Sequence, residues 1–156
     1  THFARIAHSY ANTVITPIND SFLDLDVLAK ISGDTFEIEE PSIYSQMLLE
    51  QRVERAKKYQ DPINWVILCN RLSNFGSHNK LSIEKCLDKL SKIISFRIVP
   101  GFSERVIFRE LFLQGLTLLD LKKANFVKSF SVSHVAARQE LRNFVDALEL
   151  KHPPTN

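Results

Sequence analysis

The strongest constraint in this chain is a run with no polar face. Trp65-Val66-Ile67-Leu68-Cys69 is apolar throughout, approached through Asp61-Pro62 and left through Asn70-Arg71. A strand that is apolar on both sides must be covered on both sides, which is the condition of a strand in a parallel sheet with helices above and below. The next segment agrees: Ile83, Cys86, Leu87, Leu90, Ile93 and Ile94 recur at spacings of three and four, with Lys85, Lys89 and Lys92 on the other side. That pattern predicts an amphipathic helix over 83–94. Phe96-Arg97-Ile98-Val99 then predicts a strand, stopped by Pro100-Gly101. Strand, helix and strand make a β-α-β unit, so an α/β fold with a right-handed crossover is expected.

Upstream, Thr13-Val14-Ile15-Thr16 is β-branched at every position and predicts a short buried strand ending at Pro17. Leu23, Leu25, Val27 and Leu28 form a short apolar pattern, followed by a polar stretch from Ser32 to Glu40 and a longer helix with Pro41 in its first turn. This connection is too long for a minimal crossover and predicts an insertion. Downstream, Ser103 is a candidate cap for a helix carrying Val106, Ile107, Leu111 and Phe112, which Gly115 ends; Leu116 to Leu121 continues as a short apolar element. Ser131 or Ser133 opens a final helix with Val135, Ala136, Leu141, Phe144, Val145 and Leu148 inward, before a Pro153-Pro154 tail. The expected architecture is a parallel sheet of about three strands flanked by helices, one unit over 1–150 with a tail at 151–156. Three parallel strands leave an apolar edge without a partner, and a helical pattern is already running at Thr1. The expectation is therefore part of a larger sheet.

Composition narrows the function. With 156 residues, 44% of them apolar, one core can be filled, and 24% charged residues with a net charge of +2 exclude a polybasic tail or an acidic solvating segment. Gly33, Gly76, Gly101 and Gly115 never approach one another as a phosphate-cradling loop requires, so these residues alone make neither a G-x-x-x-x-G-K-[ST] nor a G-x-G-x-x-G site. Cys69 and Cys86 lie in apolar surroundings and read as buried thiols of a reducing compartment. No run approaches the roughly 18 apolar residues of a membrane span, and no leader pattern opens the chain, which makes cytoplasmic the default.

In an open parallel sheet ligands bind outside the carboxyl ends of the strands. The segments there are Pro17 to Ser21, Asn70 to Ser73 and Pro100 to Arg105, all on one rim. Asn70 offers donor and acceptor in one amide, suited to a purine edge, and Arg71 is placed to cap a ring or meet a phosphate; taken alone, such a dipeptide more often just ends a strand and closes a turn. Asp20, Asp24 and Asp26 lack the spacing of a calcium loop and suit a helix start without a metal. His2, His8, His78, His134 and His152 show no zinc spacing, and no G-x-S-x-G elbow marks a hydrolase. Arg105 and Arg109 stand four apart and could address phosphates or pair with Glu104 and Glu110; Arg52, Arg55, Lys57 and Lys58 make a second basic stripe.

The strings AHSYANTVITPINDSFLDLDVL (7–28), WVILCNRLS (65–73), FRIVPGFSERVIFRELFLQGLTLLDL (96–121) and SHVAARQELRNFV (133–145) resemble, in order and spacing, the MipZ family of division-plane positioning ATPases, within the ParA/MinD (deviant Walker) group of P-loop proteins. The resemblance covers nearly the whole chain. It implies a P-loop NTPase-like sheet and a cytoplasmic, nucleoid-associated ATP switch. It also implies an ATP-dependent homodimer that binds chromosomal DNA without sequence preference, is recruited by ParB and inhibits FtsZ assembly. ATP and Mg are the implied cofactors of the intact parent, with none held by this chain alone, because the family's phosphate-handling residues belong to a preceding half; no catalytic residue is expected in this chain. By position, Asn70 with Arg71 resembles the adenine-recognising turn, Pro100, Gly101 and Phe102 the loop covering the base, and Asn19 and Asp20 the dimer face. The family's DNA-contacting segment reads Phe75-Gly76-Ser77-His78-Asn79-Lys80-Leu81-Ser82 here, which leaves Lys80 as its fixed charge and points also to Arg105 and Arg109. Two other functions compete: a stand-alone interaction module without nucleotide chemistry, and a small non-specific DNA-binding protein.

Overall fold

The structure, a computed structural model, describes residues 2–19, 21–32, 37–72, 78–120 and 132–150, with the backbone alone at 78–80. The elements in chain order are α1 (His2–Tyr10), β1 (Thr13–Asn19), α2 (Phe22–Leu25), β2 (Ala29–Ile31), β3 (Ile38–Pro41), α3 (Ile43–Tyr59), β4 (Asn64–Asn70), α4 (His78–Ile94), β5 (Arg97–Val99), α5 (Val106–Leu113) and α6 (Val132–Ala147). Strands β1, β4 and β5 form a parallel sheet in the order β1-β4-β5. The expected α/β architecture is therefore present, with the apolar run of β4 in the central position that its composition demands.

Alternation along the strands divides the core. Val14 and Ile18 of β1 and Trp65 and Ile67 of β4 face α3 and α4, where they join Leu48, Ile83, Cys86, Leu87, Leu90 and Ile94 in one buried cluster. Val66, Leu68 and Val99 point the other way, onto Leu148 and the half-buried Phe144 and Ala147 of α6. Trp65 is 1% exposed; its ring meets Tyr44 and Phe96 edge to face, and its Nε1 donates to Thr16 Oγ1 at 3.1 Å. Thr16 is also bonded to the Tyr44 hydroxyl at 2.7 Å, so the indole is satisfied as well as packed.

Several local expectations are corrected. Strand β1 continues through Pro17 to Asn19; among the described residues it has a neighbour on one side only, and such a position tolerates a residue without an N–H. It is buried on one face only: Ile15 on the other is 40% exposed. The end of the polar stretch from Ser32 to Glu40 belongs to β3, which pairs antiparallel with β2, and Pro41 ends β3 rather than opening α3. The cap of α3 is Ser42, whose Oγ accepts from the Ser45 amide at 3.1 Å and donates to the Val27 carbonyl at 2.6 Å. Ser103 does not cap α5; the capping position is Arg105, with no side-chain cap bond. Helix α5 ends before Gly115, which takes the left-handed φ of 65° expected of it. On the helices, Ile93, Val106, Phe112, Val135 and Val145 are exposed, and the inward residues of α6 are Ala137, Leu141, Phe144 and Leu148. Ser131 and the tail at 151–156 lie outside the described residues.

Arg97, at the start of β5, holds the far end of α6. Its guanidinium donates to the Ala147 carbonyl at 3.2 Å and pairs with Glu149 at 3.2 Å, while its Nε donates to Asn64 Oδ1 at 3.1 Å. A cation at a helix carboxyl end is favourably placed. Helix α6 thus runs back across β4 and β5, with its first turns beside the carboxyl ends of the strands.

Candidate functional site

The rim is built by backbone before any side chain acts. After β4, the Arg71 backbone turns into the left-handed region at φ 54°, and its amide donates to Asn70 Oδ1 at 3.0 Å. The chain leaving β5 then runs beside the chain leaving β4: the Phe102 amide donates to the Cys69 carbonyl at 3.0 Å, the Leu72 amide to the Phe102 carbonyl at 2.9 Å, and the Glu104 amide to the Leu72 carbonyl at 3.1 Å. Between them sits Gly101, where a Cβ would lie 1.9 Å from the Cys69 carbonyl oxygen. Only a residue without a side chain allows that approach.

This pairing opens a cavity of about 650 Å³. Asn70 and Arg71 line it from the end of β4, Phe102 to Arg105 from the loop after β5, Phe108, Arg109, Leu111 and Phe112 from α5, Leu116 to Leu118 from the following turn, and Leu141 from α6. Phe102 packs edge to face on Phe108, with centroids at 5.9 Å, and on Phe144 at 5.5 Å. The volume and the mixture of apolar walls with a few polar groups are those of a small-molecule site. Asn70 Nδ2 has no hydrogen-bond partner among the described residues, while its Oδ1 is already engaged by the Arg71 amide. The amide therefore offers the cavity two N–H donors, and one lone pair of its oxygen besides.

The charges around the cavity are mostly paired. Arg105 Nη2 lies 2.7 Å from Glu140 Oε1, and Ser103 Oγ donates to the same oxygen at 2.8 Å. For Glu140, burial pushes the carboxyl pKa up, but the hydrogen bonds from Arg105, the Ser103 hydroxyl and the Ser103 amide outweigh it and leave the pKa below the ordinary glutamate value. For Arg105 the hydrogen bond to Glu140 raises an already high pKa against the effect of burial. Arg109 is exposed and sits 3.7 Å from Glu104.

Of the residues singled out in the sequence, Asn70, Arg71, Phe102, Arg105 and Arg109 come together on this cavity. Pro100 and Gly101 are not on its wall; Gly101 acts from behind, against Cys69. Asn19 is the register partner of Asn70 across β1 and β4, so it shares the rim, and its amide donates to Asp24 Oδ2 at 2.6 Å. Asp20 lies outside the described residues, and Lys80 is placed only by its backbone, in the first turn of α4. Sequence reasoning missed Phe108 and Glu140. Phe108 carries no signal beyond helical spacing, and Glu140 meets Ser103 across 37 positions.

Among the described residues no group of three or more His, Cys, Asp or Glu side chains is arranged to hold a metal, and no helix is long and apolar enough to cross a membrane. Comparison with curated proteins returned no match. The family model described as ATPase MipZ matches residues 1–152, and the parallel sheet with flanking helices is consistent with its P-loop NTPase-like core. A match over nearly the full length, on a chain with this fold, places it: the chain belongs to the ATPase MipZ family.

Proposed function

We propose that this chain supplies the adenine-binding half of a division-site positioning ATPase, with the phosphate chemistry carried outside these 156 residues. The observation that carries the reading is Asn70: an amide with free N–H donors at the carboxyl end of the central strand, facing a cavity walled by Phe102 and Phe108. An aromatic wall and an amide edge match a purine, which offers a π-face and ring nitrogens that accept. The residues present fit the base, and they do not fit a triphosphate with Mg, for which neither a glycine-rich loop nor a carboxylate cluster is found among the described residues. Bound ATP would bring its phosphates to that other part, and Asn70, Arg71 and Phe102 would hold and orient its base.

The same reading assigns Asn19 and Asp20 to the face of an ATP-dependent homodimer, since Asn19 stands beside Asn70 on the rim. DNA contact is assigned to Lys80, Arg105 and Arg109; of the last two, Arg109 is the exposed one and has the freer charge. FtsZ and ParB are the partners carried over with the family, in a cytoplasmic, nucleoid-associated setting.

An NMR titration of the ¹⁵N-labelled protein tests the base site directly. Adenosine and ATP should shift the same resonances, those of Asn70, Arg71 and Phe102, with guanosine weaker than adenosine. Asn70→Ala should weaken adenosine about tenfold, as loss of one buried hydrogen-bonding amide does. Equal shifts for both nucleosides, or none at Asn70, would remove the base site.

A further inference from the structure

We propose that Glu140, on the last helix, is the positioning residue of the base cavity, fixing the loop from Phe102 to Arg105 in the form that receives a purine; this rests on the adenine reading of the cavity. Both carboxylate oxygens are engaged. Oε1 accepts from Ser103 Oγ at 2.8 Å and Arg105 Nη2 at 2.7 Å, and Oε2 accepts from the Ser103 amide at 3.3 Å and Arg105 Nε at 3.4 Å. The fork of Arg105 therefore meets both oxygens, the geometry that gives an arginine–carboxylate pair direction as well as strength.

Every partner of that carboxylate is a residue of the cavity wall, yet Glu140 does not line the cavity itself. It acts on the loop and not on a ligand. Phe144 follows one turn later on the same face of α6 and packs on Phe102 at 5.5 Å, so one stretch of helix grips the loop by a polar hold and an apolar one. At its other end the loop is seated by Gly101 against the Cys69 carbonyl. Phe102 is thus fixed from both sides, and the gap between its ring and Asn70 is set by where α6 lies. Without the carboxylate, the Ser103 amide and the Arg105 fork lose their shared acceptor, and the loop is left with its backbone pairing to Cys69 and Leu72, the Arg105 bond to Ser133 Oγ at 3.4 Å and its ring contacts.

The test uses the ¹⁵N-labelled protein with adenosine as probe. In the wild type the Ser103 amide should exchange slowly and the Arg105 Nε proton should be observable. In Glu140→Gln both signatures should be lost, with the Trp65 indole and the β4 amides unchanged, and adenosine affinity should fall about tenfold, the scale of losing a charge-assisted hydrogen bond. Ser103→Ala removes one of the bonds while leaving the ion pair, and should weaken adenosine about two- to threefold by the same rule. It carries the test if the first variant does not fold. Unchanged Ser103 exchange, or unchanged adenosine affinity in variants that remain folded, overturns the positioning role alone. A wild-type protein that does not respond to adenosine overturns the base site, and the positioning role with it.

Discussion

On one face of the sheet, α3 and α4 close a single apolar mass around Trp65; on the other, α6 covers β4 and β5 through a smaller cluster, a second small cluster joins α5 to α6, and members of both line the open cavity. The first face is held by volume. The second is held at points: Arg97 fastens the end of α6, Glu140 fastens the loop, and Gly101 seats that loop on Cys69. A face that must admit a ligand cannot be filled, so its geometry has to come from directional bonds, which fix positions while leaving room. Stability and binding are therefore expected to separate by face.

Breaking the filled face should have the largest effect. Trp65→Ala removes a fully buried indole with two ring contacts and should cost about 3–5 kcal/mol in urea unfolding followed by circular dichroism. A loss below about 1 kcal/mol, typical of an ordinary substitution, would show that this face does not carry the fold. On the open face, Gly101→Ala forces a Cβ onto the Cys69 carbonyl. It should cost about 1–3 kcal/mol and abolish the adenosine response even where the fold persists, because the Phe102 loop must move. If stability fell while adenosine binding stayed intact, the division between the faces would fail. The smallest effect is expected at Leu113, 85% exposed on the outside of α5: Leu113→Ser should stay within about 0.5 kcal/mol, as measured by the same unfolding curve.

The sequence discloses the filled face better than the open one. The run from Trp65 to Cys69 and the spacing of Ile83, Cys86, Leu87, Leu90 and Ile94 announce the central strand and its helix because burial on that face is continuous and follows a period. Where burial is partial the pattern misleads: Phe112, Val135 and Val145 match the apolar spacing yet face outward, since α5 and α6 bury only a narrow stripe, and even on α4 Ile93 falls at the edge of the buried face and is exposed. Ser103 has the composition of a cap, but its hydroxyl belongs to Glu140 on another helix, an attachment that no local window contains. Pro17 reads as a stop because propensity treats a strand without regard to its place in the sheet, and among the described residues β1 is paired on one side only, where a missing N–H is tolerated. The rim was accessible through topology: once the strands are parallel, their carboxyl ends are where ligands bind, and Asn70, Arg71 and Phe102 follow from that rule. Glu140, which orders those residues, follows from no rule of sequence, because its meaning arises only when α6 is laid across the sheet.

That edge position has a colloidal side. Among the described residues β1 has β4 as its single neighbour, so its outer flank is a row of peptide groups that another extended segment could join, with Ile15 half open beside it. Thr-Val-Ile-Thr and Ile-Asn would make one uninterrupted template, but Pro17 stands between them without an N–H to offer. An exposed ring that contributes nothing to the core or the cavity therefore interrupts the edge that β1 presents among the described residues.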